Sequence, residues 1–512
     1  MRLNVRNYYG VLTMGLFVAC QICANAESDH VAESDHVADR INQPNDHKKN
    51  SIEQFKFLFE QRNFTQLLER SQKYLLELES EDRNFDAVIY FAAVANYHVG
   101  NHRATHTLLN SFSTKYPNSK YLESAQFYLA SNQIKMHWWR AGSLALNRFI
   151  QRFPNSIHLA DALYGCASAD YFFKDYNSCL DCIIKVERIN DDPPLDLRIK
   201  LLKGYALKEQ GRLAESEGAF LIAKNRARLI DSSHSIARSL LNLIIVSADQ
   251  KRWRDSSSYY YMFMHDFKDS VYAINAAVAG IKILEQMENE DAAMERFENI
   301  LYSMTTANAK HLNDALLKYS MSVQKKYGTS NILMQLGNLL GRCEESPCVR
   351  EALIFAQLDI LEKHIPENDK EIEVYYKEIM NEFNFQSLSV PALLKLASHY
   401  RSKDFTLATK LYREVLDRGS SRYEAEAIFG MAKIQSSSSD QKMLRSSILG
   451  FRQVVEMFGD VKLQEESLSE LNKILECHNE LSKSDEVLMS SSELIALVGM
   501  PRRVVNRKIL RN

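Results

Sequence analysis

Apolar residues recur along this chain at helical spacing, and a small residue recurs with them. Thr105 is followed by Leu109 and Phe112, and Gly142 by Leu146 and Phe149. Cys179 is followed by Ile183 and Val186, and Ser216 by Phe220 and Ala223. Steps of four and then three put each trio on one face of a helix. The four small residues stand 37 apart. The pattern resumes at Ser256, Tyr260 and Phe263, returns 37 residues later at Ala293, Phe297 and Ile300, and has a further copy at Ala408, Tyr412 and Val415. A small residue lets a neighbouring helix come close, and the larger two fill the space beyond it. A face repeated at a fixed period buries itself against the next unit, so the pattern predicts a solenoid with a continuous core.

Each trio has a helical partner before it. Gly204 and Gly211 stand 12 and five residues before Ser216, Ala93 and Gly100 hold the same places before Thr105, and Ala167 and Lys174 before Cys179. A first helix with a small residue, a turn and a second helix follow from this. The turns Lys174-Asp175-Tyr176, Lys403-Asp404-Phe405 and Lys251-Arg252-Trp253 each put an aromatic three residues before the small anchor. Tyr116-Pro117-Asn118-Ser119 and Phe153-Pro154-Asn155-Ser156 are near copies, 37 apart. Proline stops the second helix there, and Asn or Ser can cap the next one.

Small, glycine, small, aromatic, apolar and proline in this order resembles the tetratricopeptide repeat. The best single match is Gly204-Tyr-Ala-Leu-Lys-Glu-Gln-Gly211-Arg-Leu-Ala-Glu-Ser216 with Phe220 and Ala223. The period is longer than the usual 34, and the first-helix tryptophan of the consensus is missing. The longer period and the aromatic-Pro-Asn-Ser ending look like the subclass of bacterial envelope proteins that includes the outer-membrane lipoprotein of the β-barrel assembly machinery and the periplasmic cell-division coordinator. The resemblance implies an all-α, right-handed α-solenoid of antiparallel helix pairs, with first helices lining a concave groove. It covers residues 85–310 well and 390–460 moderately. Such arrays bind many unrelated partners, so an architecture is implied more than an activity.

Residues 51–310 form the expected N-terminal array, with 51–80 as a divergent first unit. Across 311–388 the triplet fades, but helical periodicity continues in Leu312–Tyr327, Val349–His364 and Ile372–Phe383, which predicts degenerate helix pairs. Residues 389–512 carry C-terminal repeats, a loop at Ser436–Ser439 and a basic tail with Arg502, Arg503, Arg507, Lys508 and Arg511. A scarcity of breakers, 9 Pro and 17 Gly in 512 residues, fits long helical stretches. The net charge of −2 implies no polyanion such as nucleic acid as partner.

The N-terminus reads as an export signal. Arg2 and Arg6 precede the apolar run Val11–Ala19, and Ala24-Asn25-Ala26 offers a small-x-small cleavage site. No later stretch has 18 uninterrupted apolar residues, so no span is expected in the mature chain. Two processing routes are open: cleavage after Ala26, giving a soluble exported chain, or lipidation of Cys20 in Val18-Ala19-Cys20, a lipobox-like ending with Phe17 in place of the usual Leu. Both lead to the periplasm or the periplasmic face of the outer membrane. Residues 27–50 contain a duplicated Glu-Ser-Asp-His-Val-Ala and read as a disordered polar tether.

Removal of residues 1–26 leaves six cysteines, Cys166, Cys179, Cys182, Cys343, Cys348 and Cys477. Cys343 and Cys348 flank a short loop that a disulfide could close in an oxidising compartment. Cys179 and Cys182 match C-x-x-C but fall inside a second helix, where Cys179 reads as a packing residue. None of the common nucleophile, zinc-helix, phosphate-loop or dinucleotide signatures is present. No enzyme, cofactor or metal is therefore expected.

What remains is a binding surface. First-helix positions are repeatedly aromatic: Tyr90, Tyr97, Phe127, Tyr164, Tyr171, Tyr205 and Tyr400, with Tyr97, Tyr171 and Tyr400 each eight residues before a small anchor. Such a row could grip a peptide or helix of another protein, or it could pack between neighbouring first helices. Tyr259, Tyr260 and Tyr261 cannot all be buried on one helix, so at least one should be exposed. The expected function is a non-catalytic scaffold or adaptor in the bacterial cell envelope. Rival readings are a lipid-anchored component of an outer-membrane assembly complex, a glycan-binding envelope protein, and an enzyme whose domain hides in 311–388.

Overall fold

The computed structural model describes residues 47–77, 84–287, 290–305, 309–343, 346–364 and 369–477. The export signal with Cys20, most of the tether and the basic tail lie outside them. The chain divides into two units, Met1–Gln54 and Phe55–Asn512. Of the first, the described part is the opening of helix α1 (His47–Glu60). His47–Asn50 thus belong to a helix and not to the tether, because Lys48 and Lys49 are good helix formers that extend the first apolar turn backwards. The other described residues belong to the second unit.

Its described residues are helices and turns, with no strand. After α1 and α2 (Phe64–Glu77) come α3 (Phe85–Val99) with α4 (His102–Leu109) and the short α5 (Phe112–Lys115). Next are α6 (Leu122–Lys135) with α7 (Trp139–Arg152), and α8 (Leu159–Phe172) with α9 (Tyr176–Ile189). Then follow α10 (Pro193–Glu209) with α11 (Leu213–Leu229), and α12 (Ser233–Asp249) with α13 (Trp253–Asp266). α14 (Ala273–Glu285) and α15 (Glu290–Tyr302) complete this run. The weakly patterned section forms pairs too: α16 (Leu312–Tyr327) with α17 (Thr329–Gly341), and α18 (Pro347–His364) with α19 (Asp369–Glu382). The end of the array is α20 (Val390–Tyr400) with α21 (Phe405–Asp417), α22 (Glu424–Ser436) with α23 (Gln441–Gln453) and its π-helical extension Val454–Phe458, and finally α24 (Val461–Cys477). This is a tetratricopeptide-like α-solenoid, and the described part of 311–388 is built of helix pairs.

The anchor triplet packs as its spacing demands. Thr105, Cys179, Ser216, Ser256 and Ala408 are fully buried, as are the large residues that follow them. Where the anchor is a hydroxyl it also makes a bond. Thr105 Oγ1 donates to Ala93 O (3.2 Å), Ser216 Oγ to Gly204 O (2.8 Å) and Ser256 Oγ to Ile244 O (2.7 Å). Each spans 12 residues, from second helix to first. The smallness of Gly204 matters in itself: a Cβ there would lie 2.6 Å from the Phe220 ring.

The turn between paired helices is set by backbone handedness. Gly100, His137, Lys174, Gly211 and Lys251 have φ between 58° and 92°, and each stands five residues before an anchor. The next amide closes a six-residue loop, as in Trp138 N to Gln133 O (2.8 Å), Asp175 N to Asp170 O (2.9 Å) and Arg212 N to Leu207 O (2.9 Å), the Schellman arrangement at a helix end. Glycine adopts this conformation freely, whereas His and Lys are strained in it. The step from Ser216 to Ser256 is 40 rather than 37 because α11 runs for 17 residues where α7 and α9 have 14.

The array also meets itself. Arg103 Nη2 donates to Leu416 O (2.7 Å) and lies 3.5 Å from the Glu424 carboxylate. Trp138 Nε1 donates to Glu424 Oε2 (3.3 Å). Met136, Trp138, Ala425 and Phe458 form a small apolar cluster, and Gly459 sits so close to Phe173 that a Cβ would come within 2.5 Å of the ring. These partners are 286 and 313 residues apart, about eight units of 37. Turns of the later repeats thus rest on turns of the early ones, as successive coils of a spring held shut. Burial holds the Glu424 carboxyl above its usual range, against the pull of Arg103 and the Trp138 hydrogen bond.

Candidate partner-binding face

The first helices α3, α6, α8, α10 and α20 carry the aromatic row, and the structure sorts its members. Tyr90 and Phe127 are each only 6% exposed. Tyr90 stacks on Tyr121 (4.7 Å between centroids, 17°), and 37 residues on Phe127 stacks on His158 (4.3 Å, 2°). Tyr121 and His158 each open the next first helix. The near-copied Pro-Asn-Ser linkers therefore deliver a ring onto the preceding first helix. In those linkers Ser119 and Ser156 accept the amides of Tyr121 and His158 (3.1 Å each), so the serines shape the turn and cap no helix end directly. Tyr90 and Phe127 serve the seam between units and present little surface to a partner.

Tyr97, Tyr164, Tyr171, Tyr205 and Tyr400 are half-buried, one part packed and one part open. Tyr97 meets Tyr128 edge-on (5.2 Å), and Tyr171 leans toward Tyr205 (6.3 Å, 51°). Burial pushes the Tyr97 hydroxyl up to about 12 and raises that of Tyr171 as well, so both rings stay neutral donors at physiological pH. Tyr400 stands apart from this row: its ring neighbours are Tyr376 (6.4 Å) and His399 (5.1 Å).

Charged groups that the aromatic spacing does not reveal sit among these rings. Arg198 lies over the Tyr164 ring (4.9 Å) and pairs with Asp161 (2.8 Å). Arg238 lies over the Tyr205 ring (5.1 Å), and its Nε donates to Tyr205 Oη (2.7 Å). Asn242 Nδ2 donates to the same hydroxyl (3.1 Å). Cation–aromatic stacking of this kind holds a long side chain in one pose. The readable signal was register: Asp161, Arg198 and Arg238 each stand 18 residues before an anchor, at Cys179, Ser216 and Ser256. His158 shares the neighbourhood as a neutral ring, its pKa lowered mainly by burial.

Elsewhere, of the three consecutive tyrosines Tyr260 is buried and Tyr261 is 41% exposed, as one helix face requires. Cys343 and Cys348, the pair expected to bridge, are separate thiols in this structure. Buried Cys343 faces Ser346 O (4.0 Å), while Cys348 Sγ lies 3.3 Å from Ser346 Oγ, so Ser346 engages both thiols separately. Cys179 and Cys182 are separate thiols as well. Burial pushes them up to about 12 and about 11, which keeps them protonated and poorly nucleophilic. A polar cleft in the C-terminal half contains Glu362, Glu373, His399 and Lys403. Tyr376 Oη donates to Glu362 (2.6 Å), and His399 bonds Glu373 (3.1 Å). Lys403 pairs with the same Glu373 carboxylate.

Among the described residues, no group of three or more His, Cys, Asp or Glu is arranged to hold a metal ion. No described helix is long and apolar enough to cross a membrane.

No family model and no curated protein matches the chain. Among solved structures it is similar to a Rap protein complexed with competence and sporulation factor, at 13% identity and a TM-score of 0.42, over 66% of this chain and 97% of that one. It is also similar to the apo form of RapI, at 8% identity and a TM-score of 0.42, over 73% of this chain and 98% of that one.

Proposed function

We propose that this protein is a non-catalytic scaffold that holds a segment of a partner protein along its first-helix face. The observation that carries this reading is the row of half-open tyrosines, Tyr97, Tyr164, Tyr171 and Tyr205, interleaved with Arg198 and Arg238 on successive helices. Tyrosine gives contact area and a hydroxyl at small entropic cost, and the rings are already fixed by packing, so little ordering remains to oppose binding. A peptide or helix from another protein fits such a face because it offers apolar side chains for the rings and polar groups for the hydroxyls.

The place of action in this reading is the bacterial envelope, supported by the export signal in residues 1–26 and by the 37-residue period. A photo-crosslinking residue at position 97 or 171 in intact cells should trap one discrete partner. The double substitution Tyr97→Ala and Tyr171→Ala should abolish capture by a crosslinker placed at 164 while leaving helical content unchanged. Equal capture by the double variant would sink the reading. Metabolic labelling with a lipid precursor, compared with a Cys20→Ser chain, separates the soluble route from the lipid-anchored one.

A further inference from the structure

Position −18 relative to the anchor forms a ladder across three consecutive first helices, with Asp161 on α8, Arg198 on α10 and Arg238 on α12. The ladder holds one carboxylate and two guanidinium groups. Asp161 is taken by Arg198 at 2.8 Å. Arg238 differs: its neighbours are tyrosines, Tyr205 through Nε, with Tyr272 and Tyr164 nearby. Among the described residues no carboxylate lies within ion-pair distance of it. The side chain is half-buried, so its charge has lost part of its water without gaining a counter-ion. A partly dehydrated cation of this kind costs free energy unless an anion completes it. The bond from Nε to Tyr205 and the bond from Asn242 to the same hydroxyl fix the plane of the guanidinium, which leaves the Nη fork for a bidentate acceptor.

We propose that Arg238 receives an aspartate or glutamate side chain of the bound partner, and so selects acidic segments. This rests on the first-helix face being the binding face. Charge complementarity sets the occupant: a carboxylate matches the planar fork in geometry, and the aromatic walls of Tyr164, Tyr205 and Tyr272 accept the apolar stem that carries it.

The test uses the full chain, immobilised, and three pools of nine-residue peptides with random flanks. The central residue is glutamate in one pool, glutamine in the second and phosphoserine in the third. Wild type should retain the glutamate pool on the order of 10-fold over the glutamine pool. Arg238→Gln should lose that preference while holding the glutamine pool unchanged, and Arg238→Lys should keep part of it. Tyr205→Phe, which frees the guanidinium to turn, should reduce the preference without abolishing it. Equal retention of the glutamate and glutamine pools by wild type overturns the acidic assignment alone. A stronger, Arg238-dependent preference for phosphoserine overturns it in favour of a phosphorylated partner. Failure to retain any pool, with the Tyr97 and Tyr171 crosslinks also absent, overturns the binding face itself.

Discussion

The stretch from residue 85 to 266 and the stretch from 312 to 388 are built of the same unit, an antiparallel helix pair, yet they are fastened differently. In the first, a small residue brings the helices together and often donates across the gap, as Ser216 does to Gly204 O. In the second, long side chains make the ties between helices. Arg350 pairs with Glu382 (2.8 Å), the Glu351 carboxylate accepts the Ser389 amide (3.0 Å), Arg418 Nη2 donates to Phe385 O (2.6 Å), and Tyr319 Oη donates to Gln335 (2.8 Å). A short clamp fixes the distance between helices and with it the register of every later residue. Extended side chains tolerate variable separations, so the period is free to drift. The two regions show that a repeat stays visible in sequence only where short-range packing enforces it.

The largest expected contrast comes from the same substitution in both regions. Gly204→Ala should destabilise the chain by about 1–3 kcal/mol, since the added carbon meets the Phe220 ring at 2.6 Å. Gly337→Ala, whose nearest neighbour would be 3.6 Å away inside α17, should stabilise by about 0.5–1 kcal/mol. Urea unfolding followed by circular dichroism reads both, and shifts of the same sign would break the comparison.

Removing the fasteners comes next. Glu351→Ala leaves the Ser389 amide without its acceptor and should cost about 1–3 kcal/mol, whereas Ser216→Ala removes a neutral bond and should cost about 1 kcal/mol. Hydrogen exchange in α18 and α20 for the former, and in α10 and α11 for the latter, should locate the loss. A loss spread evenly over the chain would argue against local fastening.

Handedness offers a gain in the regular region. Lys174 carries a φ of 61°, and Lys174→Gly should raise stability by about 1 kcal/mol by relieving left-handed strain. A lower unfolding midpoint would show that the lysine side chain contributes more there than its backbone costs.

The smallest effect is one of pH. Burial raises the Glu351 carboxyl, and its bonds to Ser389 only partly offset this. The folded chain then binds this proton more tightly than the unfolded chain does. The resulting increment of stability is complete below the unfolded glutamate pKa and is lost as pH rises through the higher folded value. Glu351→Gln should flatten the midpoint-against-pH curve above the ordinary glutamate range, and an unchanged slope would assign it to other groups. Ser216, being uncharged, should add no slope when changed to Ala.

Much of the fold was legible because the fastening residues are small and regularly spaced. The 37-residue step, the buried trio and the turns at Gly100, Lys174 and Gly211 all follow from local chemistry, whereas the left-handed backbone at Lys174 does not. Helix α17 was not foreseen: it holds Gly337 and Gly341, so its pattern merges with a turn. The candidate face was half legible. Periodic aromatics pointed to Tyr97, Tyr171 and Tyr205, but position alone could not show that Tyr90 and Phe127 are stacked out of reach. Arg238 was invisible for a different reason. An arginine on a polar helix face reads as solvated, and only the packing shows its single tyrosine bond and missing counter-charge.

The contact between Trp138 and Glu424 bears on how a chain of this kind can evolve. Open arrays lengthen and shorten by duplicating or losing units, since a new copy need only match its immediate neighbours. Here the later coil must arrive over the earlier one after about eight units, with Gly459 meeting Phe173 and Arg103 meeting Leu416. An inserted or deleted unit would shift every one of these pairings by a full helix pair. Copy number is therefore locked, and inheritance can vary the faces of the units but not their count.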